Sequence, residues 1–123
     1  MLRLLLVLLP LFAIYAMWWN AQKSYQLPGE LIGQWRTSDP MYADRFFELS
    51  PGYVNFGTGG GTVTTGFIQE VAESPEAGKT LYTITYKDED KVNQLFIYYE
   101  SSRGESIRFK NQPNIVWTKT VGN

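Results

Sequence analysis

The chain has 123 residues and a formal net charge of −1, with eleven Lys and Arg against twelve Asp and Glu. That length allows one domain, and the even charge balance excludes both the basic face that nucleic acid requires and a polybasic grip on anionic lipid. Cysteine and histidine are both absent, which excludes disulfides, thiol and imidazole catalysis, thiolate and imidazole metal sites, and the lipid-acceptor cysteine of a bacterial lipoprotein.

The first predicted element is apolar. Leu4 to Trp19 carries no charge and one proline, Pro10. Leu2 to Trp19 spans eighteen positions with Arg3 inside, close to the lower bound of about 17 residues for a bilayer span. Tyr15, Trp18 and Trp19 gather at its far end, as interfacial aromatics do. A cleaved signal peptide is the competing reading. It meets poor cleavage sites, because Ile14 or Trp19 would occupy the −3 position that small residues prefer. The expectation is therefore an uncleaved N-terminal anchor over residues 1–19. Arg3 would stay in the cytoplasm and the rest of the chain would lie outside. In a bacterium that places a single-pass protein in the inner membrane with its C-terminal domain in the periplasm; signal cleavage would instead release the domain into the periplasm. Residues 20–30 are polar, contain Pro28-Gly29 and show no period, so they read as a linker.

Residues 31–123 read as one β domain. Aromatics make up 15% of the chain, a bias toward strands. Short alternating runs are separated by turn signals every eight to twelve residues, the spacing of a barrel or sandwich. The runs are 31–37, 45–50, 53–57, 62–73, 80–87, 92–100, 106–110 and 115–120. In the fourth, Val63, Thr65, Phe67 and Val71 are expected to share one face. The fifth alternates most cleanly, with Tyr82, Ile84 and Tyr86 against Thr83 and Thr85. About eight strands on short connections predict an all-β, small antiparallel up-and-down barrel following one N-terminal apolar helix, with a two-sheet sandwich as the alternative.

Leu31-Ile32-Gly33-Gln34-Trp35 opens the first run. This Gly-x-Trp resembles the start of lipocalin-like and other calycin barrels. The resemblance implies that Trp35 closes one barrel end, that an arginine of the late strands, here Arg108, packs across it, and that the interior holds an apolar ligand cavity. Trp117, in the last run, is expected to pack against Trp35 and close the seam between first and last strands.

Candidate binding residues fall in two loops. Asp39, Tyr42, Asp44, Arg45 and Glu48 form the densest polar stretch, which reads as a capped turn, a small ion or partner site, or a pair of carboxylates fit for acid–base work. Phe56 to Thr62 carries Gly59 and Gly60 in a glycine-rich turn. It lacks the Gly-Lys-Ser/Thr and following helix of a phosphate loop, so it reads as a hairpin turn or a mobile rim. Asp88-Glu89-Asp90 lacks the spacing of a calcium loop. Gln112 and Asn114 are expected at the barrel end near Arg36 and Tyr42. No metal and no cofactor is expected.

The function expected from these features is non-enzymatic. A membrane-anchored extracytoplasmic β domain would bind a protein partner or a small apolar ligand through Tyr42, Asp44, Arg45 and the Gly57–Gly61 loop. One alternative is an accessory subunit of a larger membrane complex, with Pro10, Ala13 and Ala16 permitting helix contact. The other is a hydrolase using Asp39, Asp44 or Glu48.

Overall fold

Nine strands make up most of the computed structural model, which describes residues 22–120. The expected anchor lies outside these residues. Among the described residues no helix is long and apolar enough to cross a membrane. The strands are β1 (Gln22–Ser24), β2 (Gly33–Arg36), β3 (Phe46–Leu49), β4 (Tyr53–Gly57), β5 (Val63–Glu76), β6 (Lys79–Asp88), β7 (Lys91–Glu100), β8 (Ser106–Phe109) and β9 (Gln112–Lys119), with a 3-10 turn at Gly29–Leu31.

From β2 to β9 every strand pairs antiparallel with its sequence neighbour, and β9 pairs back onto β2. The result is a closed eight-stranded up-and-down barrel, and closure leaves few exposed edges. The seam is narrow: Trp35 pairs with Lys119 and Arg36 with Thr118, and Thr120 N donates to Gln34 O at 2.9 Å. β1 lies outside the ring. It covers the lower half of β5, with Gln22 opposite Glu73 and Ser24 opposite Val71.

The stretch read as a linker is thus partly structured. β1 pairs, Leu27 is buried, and the 3-10 turn drops Leu31 into the base of the barrel. β6 keeps its expected alternation, with Tyr82 and Ile84 fully buried. β5 departs from it. Val63 and Phe67 are 54% and 61% exposed, while Gly66 and Val71 face inward. The cause is a bulge between Ile68 and Glu70. One extra residue there reverses which face the later side chains occupy. β5 also continues through Ser74-Pro75 to Glu76. Beyond β1 it has a neighbour on one side only, and an edge of that kind tolerates proline.

The core is filled from many strands. Trp35, Phe47, Leu49, Val54, Tyr82, Ile84, Ile97 and Ile107 are all less than 2% exposed. Each buried aliphatic or aromatic side chain of this size stabilises by about 1.5–3 kcal/mol.

Alternate connections of an up-and-down barrel emerge at the same end. The loops 37–45, 58–62, 89–90 and 110–111 form one end. The connections 50–52, 77–78 and 101–105 form the other. The second end, toward which the start of β1 lies, is the proximal end, and the first is the distal end.

Candidate binding rim and the proximal closure

The proximal end is closed by the 3-10 turn and by Lys119. Trp35 Nε1 donates to Leu31 O at 3.0 Å, which fixes the turn against the first barrel strand. Lys119 continues the inward series Ile115–Trp117 on β9, and its Nζ lies 5.3 Å from the Trp35 ring centroid. The ammonium donates to Glu30 O at 2.9 Å and to Glu105 Oε1 at 3.3 Å. Gly33 makes this possible. Its φ is +144°, and a Cβ there would come within 3.1 Å of the Lys119 stem. The Gly-x-Trp spacing therefore has a local physical cause: the glycine clears the path of the lysine that covers the tryptophan.

Arg108 does not take the role expected of it. It is exposed on the outer face of β8, paired across from Tyr98, because the inward positions of that strand are Ile107 and Phe109. Trp117 is buried as expected, but it reaches Trp35 through Phe47. Phe47 stacks on Trp35 with centroids 6.2 Å apart and meets Trp117 edge-on at 5.2 Å. Phe109 completes this cluster at 5.2 Å from Phe47 and 5.7 Å from Trp117. The Trp117 indole N–H has no acceptor among the described residues.

Two buried phenols complete the proximal closure. The Tyr82 hydroxyl donates to Glu30 and the Tyr99 hydroxyl to Glu105 Oε1, the latter at 2.9 Å. Burial, then the Glu30 carboxylate, hold the Tyr82 hydroxyl far above the usual phenol range. Burial, then the bond to Glu105, push Tyr99 up to about 12. Both phenols thus stay protonated and act as donors.

At the distal end the structure brings together most of the residues expected there. Asp39 Oδ1 accepts from Met41 N at 2.9 Å, which makes it a turn cap. Tyr42 N and Arg45 N bond back to Asp39 O and Tyr42 O. The Arg45 guanidinium lies 5.2 Å from the Tyr42 ring centroid. Tyr42 in turn packs 6.4 Å from Trp117 and accepts from Gln112 Nε2 at 3.0 Å. This ties the β2–β3 loop to the β8–β9 turn.

The β4–β5 loop joins them through Asp44. A Cβ on Gly59, whose φ is +85°, would come 2.5 Å from Asp44 Oδ2, so the Asp44 carboxylate lies against this loop. Gly60 also has positive φ, and nothing lies within 4 Å of the Cβ position. Glu48 is not part of this rim. It sits on the outer face of β3 and accepts from Asn55 at 3.0 Å, while Asn55 accepts from Thr65 at 2.6 Å. The three form a polar ladder across β3, β4 and β5.

The rim offers a phenol, a guanidinium, a carboxylate and a carboxamide on linked loops, with Met41 projecting into solvent. Such groups recognise a surface by hydrogen bonds and charge. Beside them lies a half-open concavity of about 380 Å³, lined by Gln94, Leu95, Phe96, Phe109, Lys110 and Asn111. Among the described residues no three acidic side chains converge as a metal site. Sequence reading missed Lys119, although a lysine in phase with Ile115 and Trp117 is a readable signal. It also missed the concavity, which depends on unequal strand lengths.

The chain matches no protein-family model, no curated protein and no solved structure.

Proposed function

We infer that this chain is a non-enzymatic, membrane-anchored binding domain that engages a protein partner through its distal rim. In a bacterium it would sit on the outer side of the inner membrane, held by residues 2–19. The observation that carries this reading is the convergence of three loops: Asp44 rests against Gly59, and Gln112 bonds Tyr42. A rim held in this way is preorganised, which lowers the ordering cost of binding.

Further support comes from an aromatic cluster in the core. Trp35, Phe109 and Trp117 all pack against Phe47, and Phe109 meets Trp117, where a carrier would keep space for ligand. A protein partner therefore fits better than an apolar ligand. The carboxylates raised as hydrolase candidates have other occupations, since Asp39 caps a turn, Asp44 packs on a glycine and Glu48 joins an outer ladder. The closed up-and-down form supports kinship with lipocalin-like barrels, whereas Lys119 in place of an arginine over Trp35 departs from that pattern.

The test is co-purification of the tagged full chain from detergent, with and without Arg45→Glu. The reading predicts one stoichiometric protein partner that is lost from the variant. Isolation of the chain alone, or with bound lipid in place of protein, would overturn it. Replacing Leu2–Trp19 with an unrelated anchor separates a tether from a subunit helix: a tether keeps the partner.

A further inference from the structure

We propose that the distal edge of β7 receives an extended segment of the protein partner as an added strand, with an acidic residue of that segment facing Lys110. The proposal rests on the partner-binding reading above and names its mode of contact.

β7 pairs with β6 from Lys91 to Tyr99, that is from Asp88↔Lys91 to Thr80↔Tyr99. With β8 it pairs only over Ile97–Glu100. β8 ends at Phe109 and the chain turns away at Lys110 and Asn111. Lys91 to Phe96 therefore has one strand neighbour.

The direction of the vacant backbone groups follows from a single bond. Lys110 N donates to Phe96 O at 3.0 Å, so Phe96 faces the β8 side. The N–H and C=O of one residue point the same way, and successive residues alternate. Val92 and Gln94 then present their backbone groups to the vacant side, while Asn93 and Leu95 bond β6. Among the described residues nothing pairs with these edge groups of Val92 and Gln94.

Protein edges are ordinarily blunted by shortness, charge, proline or a bulge. This one carries Val92, Gln94 and Phe96 on its outer face, with Val92 64% and Phe96 39% exposed. On its inner side Leu95 and Phe109 line the half-open concavity. Alternating donors and acceptors beside alternating side-chain sites match an extended polypeptide, a pattern no lipid reproduces. Charge adds the last requirement. Lys110 Nζ lies 6.0 Å from the Phe96 ring centroid, and among the described residues no carboxylate pairs with it. A carboxylate on the incoming strand would meet it over an apolar floor.

The experiment places a photoreactive benzoylphenylalanine at position 92 or at position 96 of the full chain in its membrane, and maps the crosslinked peptides by mass spectrometry. Both probes are expected to attach to one short segment of another protein, at points four residues apart, since paired strands advance in step. Gln94→Pro removes an edge N–H that holds no bond within the barrel, and it should lower the yield about fivefold or more; Gln94→Thr should leave it unchanged. The spacing readout is independent of whether the proline variant folds. Attachment to a second copy of this chain, attachment without the four-residue spacing, or capture only by a probe at Tyr42 would overturn strand addition while partner binding stands. No protein captured from any of these positions would overturn the partner reading itself.

Discussion

Replacing Lys119 by Met tests the proximal closure, because it removes the charge and keeps the apolar stem beside Gly33. Three interactions are lost. The charged bond to Glu30 O contributes about 1.5 kcal/mol. The exposed pair with Glu105 contributes about 0.5 kcal/mol, and the cation over Trp35 about 0.5–1 kcal/mol. Lys119 is 23% exposed at its side chain, so screening is partial. The sum is about 2.5–3 kcal/mol, which for a domain of this size lowers Tm by roughly 10–24 °C. Thermal unfolding of the full chain in detergent, followed by near-ultraviolet circular dichroism of the buried tryptophans, reads the change. Arg108→Met is the control, and as a surface change it should cost less than about 0.5 kcal/mol. A Lys119→Met midpoint within about 2 °C of the parent, or a larger loss from Arg108→Met, would refute the reasoning.

Gly66→Ala adds a methyl that overlaps the Tyr86 ring; it should cost about 1–3 kcal/mol in urea unfolding, with partial recovery on adding Tyr86→Leu. Phe67→Ser should change stability by less than about 0.5 kcal/mol, whereas Val71→Ser, four residues along the same strand, should cost about 2 kcal/mol or more; denaturant midpoints of the two variants check the inversion across the bulge. The phenols predict an alkaline limit. Their folded pKa values lie above the unfolded value of about 10, Tyr99 at about 12 and Tyr82 also raised. Stability from them is complete below about pH 10 and lost as pH rises from there through about 12. Unfolding midpoints across that window should fall steeply, and Tyr82→Phe with Tyr99→Phe should flatten the fall.

The parts of the fold legible in the sequence are those where one period governs a whole strand. β6 is such a case: threonines face out, Tyr82 and Ile84 face in, and no irregularity interrupts them. β4 is another, bounded by Pro51-Gly52 and the glycine loop. β5 was opaque because one extra residue at Gln69 reverses its faces, and because Gly66, without a side chain, hides an inward position. The rim was partly legible. A polar loop with Tyr42, Asp44 and Arg45 and a glycine turn are visible in the chain, but their meeting depends on alternate loops sharing an end. The Trp35 partner was misplaced for a similar reason. Arg108 is the nearer arginine in the sequence, yet inward phase on β9 selects Lys119.

The central claim is that the distal end is the interface. A photocrosslinking scan of the full chain expressed in cells tests it directly, with probes at Met41, Gly60 and Lys110 on the distal end and at Pro51, Gly78 and Ser102 on the proximal end. The account predicts a discrete protein adduct from the first three positions and none from the second three. Adducts from the proximal positions alone, or equal adducts from both ends, would contradict it.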